Sequence, residues 1–296
     1  MRTIAAATLA LLAAACSDKA ADPKPDAPPA PPAPPASPAP PAAAENPMHT
    51  NGLSEAEFKA LHTLTGEAAP APKGEMVTIG DGQHYLSLPA GVSAPMPAVL
   101  VIHEWWGLNE HIKHYADRLA AEGYAALAVD LYGGQTAKTP DEAMKLMQQV
   151  DAAKAGATLS AAAAWLADDG RVRATKRGTI GWCFGGAWSL QSGLMIEGLD
   201  AVVMYYGRVE TDPAALAGLD APLLGIFATN DSHIPAAQVD AFEEALKAAG
   251  KTATIARYDA QHAFANPSSG AYDAEDAADA WQKARAFLAA HLQTAK

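Results

Sequence analysis

The sequence is poor in cysteine, in basic charge and in long apolar runs. It carries two cysteines in 296 residues and 21 basic against 33 acidic side chains. The run "MRTIAAATLALLAAA" at residues 1–15 is too short to span a bilayer. The net charge of −12 argues against a phosphate-binding surface, so nucleic acid is not an expected partner. A zincin motif is missing too. His103 and Glu104 begin H-E-x-x-H, but Gly107 fills the second histidine position and the pair ends a strand instead of lying on a helix. His111 and His114 read as a solvated helix face. No metal and no cofactor is expected.

What the sequence does hold is enough apolar matter, 50% of residues, to bury a substantial core. One basic residue, a short apolar run and small residues make 1–15 a signal peptide of lipoprotein type, with Cys16 as the expected lipidation site and acylated N-terminus. Ala13 and Ala15 also fit ordinary cleavage. The protein is therefore expected to be exported to the periplasm and anchored to a membrane only through Cys16. With Cys16 acylated or removed, Cys183 is the sole thiol and has no partner for an intramolecular disulfide.

Residues 16–47 form a Pro/Ala-rich linker. Twelve of the 22 prolines fall between Ala20 and Pro47, as in "APPAPPAPPASPAPP". Such a stretch buries no core and reaches ~80–90 Å at ~3.1 Å per residue. Residues 48–72 hold a short helix and linker, with Ser54 and Glu57 as a capping box and Gly66 as the stop. Residues 73–296 are the expected catalytic domain. "GEMVTIG" and "QHYLSLP" read as alternating strands and "PAVLVIH" as a strand buried on both faces. Beyond them strand and helix alternate. Ile112, Tyr115, Ala116, Leu119 and Ala120 form one helical stripe, and Thr139, Pro140 and Glu142 start the next helix. The pattern predicts an α/β fold with a mostly parallel central sheet and helices on both faces.

Sites in such sheets form at the carboxyl ends of strands. There, "GTIGWCFGGAWS" places Cys183 between Gly181 and Gly185, the thiol form of the GxSxG nucleophile elbow. Side chains at the flanking glycines would collide with the neighbouring strand and helix. Asp231 in "IFATNDSHIP" and His262 in "YDAQHAFANP" follow in the order nucleophile, acid, histidine of the α/β-hydrolase fold. A histidine that takes the thiol proton generates the nucleophile, and an aspartate fixes the histidine's tautomer. The backbone N–H of Phe184, the residue after the nucleophile, is the expected oxyanion donor in this fold. Trp105 and Trp106 read as walls of an apolar pocket, whereas Tyr205 and Tyr206 each fit core and pocket equally well and both stand as pocket candidates.

"HEWWGLNEHI", "AVDLYGG", "GWCFGG", "MYYG", "DSHIP" and "HAFAN" together resemble the dienelactone hydrolase family over about residues 75–290. The resemblance implies the α/β-hydrolase fold and a triad of Cys183, Asp231 and His262. It also implies Glu104 beside the thiol, controlling its ionisation, and Trp105 as the second oxyanion-hole N–H. Dienelactone hydrolase proper holds its substrate's carboxylate with two arginines, but those regions here read Gly133, Gly134 and Asn266. Asn266 is then a pocket residue without charge, and Arg208, after "YYG", is the candidate substitute. A small ester or lactone is the expected substrate, other than the carboxylate-bearing one of the family's name, and a monomer is the expected state. The rival reading, a thiol redox or sensing module or an inactive binding protein on the same fold, lacks a resolving cysteine and leaves a full triad surplus.

Overall fold

The structure, a computed structural model, describes residues 54–60 and 62–293. The signal segment 1–15, Cys16 and the linker 16–47 lie outside the described residues. From Glu75 onward the chain builds one eight-stranded sheet: β1 (Glu75–Ile79), β2 (Gly82–Ser87), β3 (Ala98–Ile102), β4 (Ala125–Val129), β5 (Arg177–Trp182), β6 (Ala201–Tyr205), β7 (Leu223–Ala228) and β8 (Ala253–Tyr258). Their order is β1-β2-β4-β3-β5-β6-β7-β8, with β1, β2 and β4 paired antiparallel and every other pair parallel.

The apolar runs explain which strands are central. β3, β4, β6 and β7 are buried at every position, as strands covered on both faces must be. The expected alternation fails in β2, where His84, Tyr85, Leu86 and Ser87 are all buried. Its polar positions are matched by partners. Tyr85 Oη and Ser87 Oγ both donate to Asp117 Oδ1 at 2.8 and 2.7 Å, and Asp130 N donates to His84 Nδ1 at 3.0 Å. A buried polar side chain that keeps a hydrogen bond costs little, so residues 84–87 of this strand need no exposed face.

The helices of the domain are α2 (Glu110–Ala121), α3 (Pro140–Gln148), α4 (Ala152–Asp168), α5 (Phe184–Met195), α6 (Ala236–Ala248) and α7 (Ala274–Leu292). The Thr139–Glu142 capping box and the α2 stripe form as the sequence predicts. His111 and His114 are half-buried, not solvated. His111 Nε2 lies 3.0 Å from the Glu67 carbonyl, and burial lowers the His114 pKa.

Before the domain, α1 (Glu55–Ala60) has its Ser54–Glu57 capping box but ends six residues short of Gly66. Residues 63–65 pair instead with the loop at 268–270. Thr65 N donates to Ser268 O at 2.8 Å, Gly270 N donates to Thr63 O at 2.9 Å, and Leu64 bridges Ser269. These tertiary bonds replace those a longer helix would have made, and they lay this strap over the ends of the strands.

Between β3 and β5 the chain reverses its direction across the sheet, because β4 lies on one side of β3 and β5 on the other. That switch point opens a crevice at the carboxyl ends of the strands. His103 and Glu104 follow β3, Cys183 follows β5, Tyr206 follows β6, and Asp231 and His262 lie in the loops after β7 and β8.

Candidate active site

Cys183 joins β5 to α5 at φ 52°, ψ −115°, a left-handed conformation that costs a non-glycine residue about 1–3 kcal/mol. Two glycines make the turn possible. A Cβ on Gly181 would lie 2.1 Å from the Gly185 carbonyl oxygen, and one on Gly185 would lie 2.2 Å from that of Ile102. The helix therefore touches both its own strand and β3 through bare backbone, which presses the thiol forward at the start of α5. Cys183 N donates to Tyr205 O at 3.0 Å and pins the turn to β6. Phe184 opens α5, where the first N–H groups have no intrahelical acceptor, and so brings a free donor and the positive end of the helix next to the sulfur.

His262 and Asp231 meet beside it. Asp231 Oδ1 accepts from the backbone N–H groups of His233 and Ile234 at 2.8 and 2.9 Å, while Oδ2 accepts from His262 Nδ1 at 2.6 Å. The aspartate is thus fixed through one oxygen and orients the imidazole through the other. Burial raises the Asp231 pKa, but the His262 charge, its hydrogen bond and the Ile234 N–H outweigh burial and hold it below the ordinary value. Burial likewise lowers the His262 pKa, and the charges of Asp231 and Cys183 overcome it, so His262 sits well above an ordinary histidine. Its Nε2 is buried with no hydrogen-bond partner among the described residues.

Glu104 is 5% exposed. It accepts from Tyr206 Oη at 3.4 Å and from Asn266 Nδ2. Burial raises its pKa to about 7, against the lowering pull of His262, Tyr206 and Asn266. Burial also lifts Tyr206 well above 10, so its hydroxyl keeps the proton that it donates. Asn266 is committed on both sides, since its Oδ1 accepts from Ser268 N and Oγ at 2.9 and 2.7 Å.

The loop that carries Glu104 and Trp105 is fastened by His103. Leu131 N donates to His103 Nε2 at 3.1 Å, so the proton is on Nδ1 and goes to the Glu104 carbonyl at 2.5 Å. Burial lowers the His103 pKa and keeps the ring neutral in that tautomer. Trp105 and Trp106 are buried and pack against each other with ring centroids 4.9 Å apart. Tyr205, one of the expected pocket candidates, belongs to the core. It stacks on Trp182, and its hydroxyl donates to Ala280 O of α7 at 3.0 Å. Tyr206 alone of the pair turns to the site, with its ring 5.0 Å from that of His262. Arg208, just beyond it, is half-buried.

One residue of the cluster comes from outside the region that the motifs marked. His62, on the strap after α1, is 3% exposed, and its Nε2 stands 3.6 Å from Cys183 Sγ. Its ring lies 4.3 Å from that of Trp105 and 4.9 Å from that of His262. No spacing in the sequence signals it: a single histidine past a short helix has no motif, and its place depends on the strap's bonds to residues 268–270.

A sulfur on a strained strand-to-helix turn beside a histidine oriented by aspartate agrees with the match of the dienelactone hydrolase family model to residues 83–292. The chain belongs to the dienelactone hydrolase family. A "Putative carboxymethylenebutenolidase" of Methylorubrum extorquens is 34% identical over 242 residues, covering 76% of this chain and 83% of that protein. One of Escherichia coli is 33% identical over 218 residues, or 67% and 79%. Among solved structures, a dienelactone hydrolase homologue of Klebsiella pneumoniae shares 31% identity with a TM-score of 0.65, covering 74% of this chain and 99% of that one. A dienelactone hydrolase-like promiscuous phosphotriesterase from metagenomic libraries shares 25% identity with a TM-score of 0.67, covering 74% and 98%. Family membership makes the chain a dienelactone hydrolase-like hydrolase. His62 lies outside the matched residues.

Proposed function

We propose that the protein hydrolyses a small uncharged ester or lactone through Cys183, His262 and Asp231. The observation that carries this reading is the Cys183 turn at φ 52° beside a buried His262–Asp231 pair 2.6 Å apart. His262 Nε2 takes the thiol proton, and the thiolate adds to the substrate carbonyl carbon. The N–H groups of Phe184 and Trp105 receive the charge on the carbonyl oxygen. Collapse of the tetrahedral adduct breaks the ester C–O bond, and His262 returns the proton to the departing alkoxide. In the second half His262 deprotonates a water that attacks the thioester, and Cys183 leaves as thiolate. Asp231 holds His262 with Nδ1 protonated throughout and stabilises the imidazolium. Glu104 supports the same charge, because an ionised carboxylate near His262 favours the thiolate–imidazolium pair.

The choice of an uncharged substrate follows from the absent clamp. Gly133, Gly134 and Asn266 stand where the family has arginines, and the Asn266 amide is already committed to Glu104 and Ser268. A substrate carboxylate would enter a buried site unpaired and lose several kcal/mol of hydration. The carboxymethylenebutenolidase activity in the relatives' names therefore transfers as ester or lactone hydrolysis without the carboxylate requirement. The test is a panel of small lactones and esters with and without a carboxylate, assayed with wild type and Cys183→Ala. Turnover of neutral members that the variant loses supports the reading. Failure on every member removes it and favours a binding or thiol-sensing role; preference for the carboxylates overturns the choice of an uncharged substrate. We also propose export and acylation at Cys16, which mass spectrometry of the mature N-terminus tests: diacylglyceryl or triacyl cysteine is expected, and an unmodified start contradicts it.

A further inference from the structure

We propose that His62, Cys183 and His262 form a zinc-binding site that closes over the nucleophile. One ligand atom from each of the three lies within 4.8 Å of the other two, and all three side chains are buried. The Cys183 Sγ to His62 Nε2 separation of 3.6 Å is already the edge of a tetrahedron. Zn–S of ~2.3 Å and Zn–N of ~2.0–2.1 Å place a sulfur and a nitrogen about 3.5 Å apart. The two remaining edges, Cys183 Sγ to His262 and His62 to His262, are at most 4.8 Å, and small side-chain rotations of His62 and Cys183 close them.

The second observation is His262. Its Nε2 is buried and has no hydrogen-bond partner among the described residues, while its Nδ1 is held by Asp231, itself fixed by two backbone N–H groups. That is the carboxylate–histidine arrangement which orients metal-ligating imidazoles and raises their basicity. Sulfur with two imidazoles selects Zn²⁺ over Mg²⁺ or Ca²⁺, which require oxygen ligands. The charges also balance, since the Cys183 thiolate and the Asp231 carboxylate together neutralise the ion. On binding, the Cys183 S–H proton and the proton on His262 Nε2 leave to solvent as the Zn–S and Zn–N bonds form, and no electron is transferred. The sequence signalled no metal because its H-E-x-x-H remnant fails and because His62 joins the other two only through the strap. With the thiolate coordinated, thiol chemistry at this site stops. The inference concerns metal binding without substrate, so it stands or falls separately from ester hydrolysis.

The probe is Zn²⁺ alone, titrated into the full-length chain against a chromophoric chelator, with Co²⁺ as a spectroscopic substitute. The expected results are one ion per chain, a thiolate-to-Co²⁺ charge-transfer band that Cys183→Ala abolishes, and at least about tenfold weaker Zn²⁺ binding in His62→Gln. Glutamine keeps most of the packing on Trp105, and circular dichroism checks the fold. X-ray absorption at the zinc edge of the wild-type protein needs no variant and should count one sulfur and two imidazoles. No charge-transfer band, a folded His62→Gln with wild-type affinity, or a coordination shell without sulfur or with a single imidazole would overturn the proposal.

Discussion

Glutamine at position 104 should stabilise the protein, and only at neutral and alkaline pH. The Glu104 carboxyl titrates at about 7 in the folded chain against an ordinary 4.5, with burial as the main cause. An acid whose pKa is raised on folding loses stability as pH rises between the two values, because the unfolded chain gives up its proton first. The cost starts near pH 4.5 and is complete above about 7, where a shift of this size amounts to about 3 kcal/mol. Gln removes the charge and keeps the hydrogen bonds. Its amide oxygen accepts from Asn266 Nδ2, and its amide N–H donates to the Tyr206 hydroxyl, which rotates to accept. Urea unfolding of both proteins should show the stability gap widening by about 2–3 kcal/mol in favour of Glu104→Gln between about pH 5 and about pH 8. In melting temperature that is about 5–10 °C for a domain of this size. A gap that stays constant with pH would refute the reasoning, since it would mean that Glu104 ionises alike in both states.

Four further outcomes follow from the structure. His262→Gln should lower kcat for any turned-over ester by at least about 10³, measured under saturating substrate, and near-normal turnover would remove its assigned role. Gly185→Ala should destabilise by about 3 kcal/mol or more in urea unfolding, because its Cβ meets β3 backbone at 2.2 Å; Gly250→Ala, at φ 67° with nothing within 4 Å, should cost about 1 kcal/mol. Cys183→Ser should hydrolyse p-nitrophenyl acetate far more slowly than wild type, and equal rates would show that the site is not tuned to a thiol.

Most of the fold and the Cys183, Asp231 and His262 cluster were legible because each rests on a local signal. Continuous apolar runs mark the parallel strands, Thr139 and Glu142 cap a helix, and the glycines around Cys183 announce a turn in which backbone touches backbone. The misreadings share a cause, which is that long-range partners decide them. Nothing local distinguishes Tyr205 from Tyr206; one reaches Ala280 of α7 and the other Glu104. The alternation of β2 gives no hint that Asp117 and Asp130 would bury its polar positions. The α1 helix yields its last turns to the 268–270 loop, and His62 arrives at the sulfur through that exchange. A histidine delivered by a strap cannot be seen in spacing.

The central claim is that Cys183 carries the acyl group. Rapid mixing with p-nitrophenyl acetate, followed by acid quench and peptide mass spectrometry, tests it directly. A burst of about one p-nitrophenolate per chain, with acetyl on the Cys183 peptide and neither in Cys183→Ala, is the predicted result. Ester turnover that persists in Cys183→Ala, or acetyl found on another residue, would contradict it.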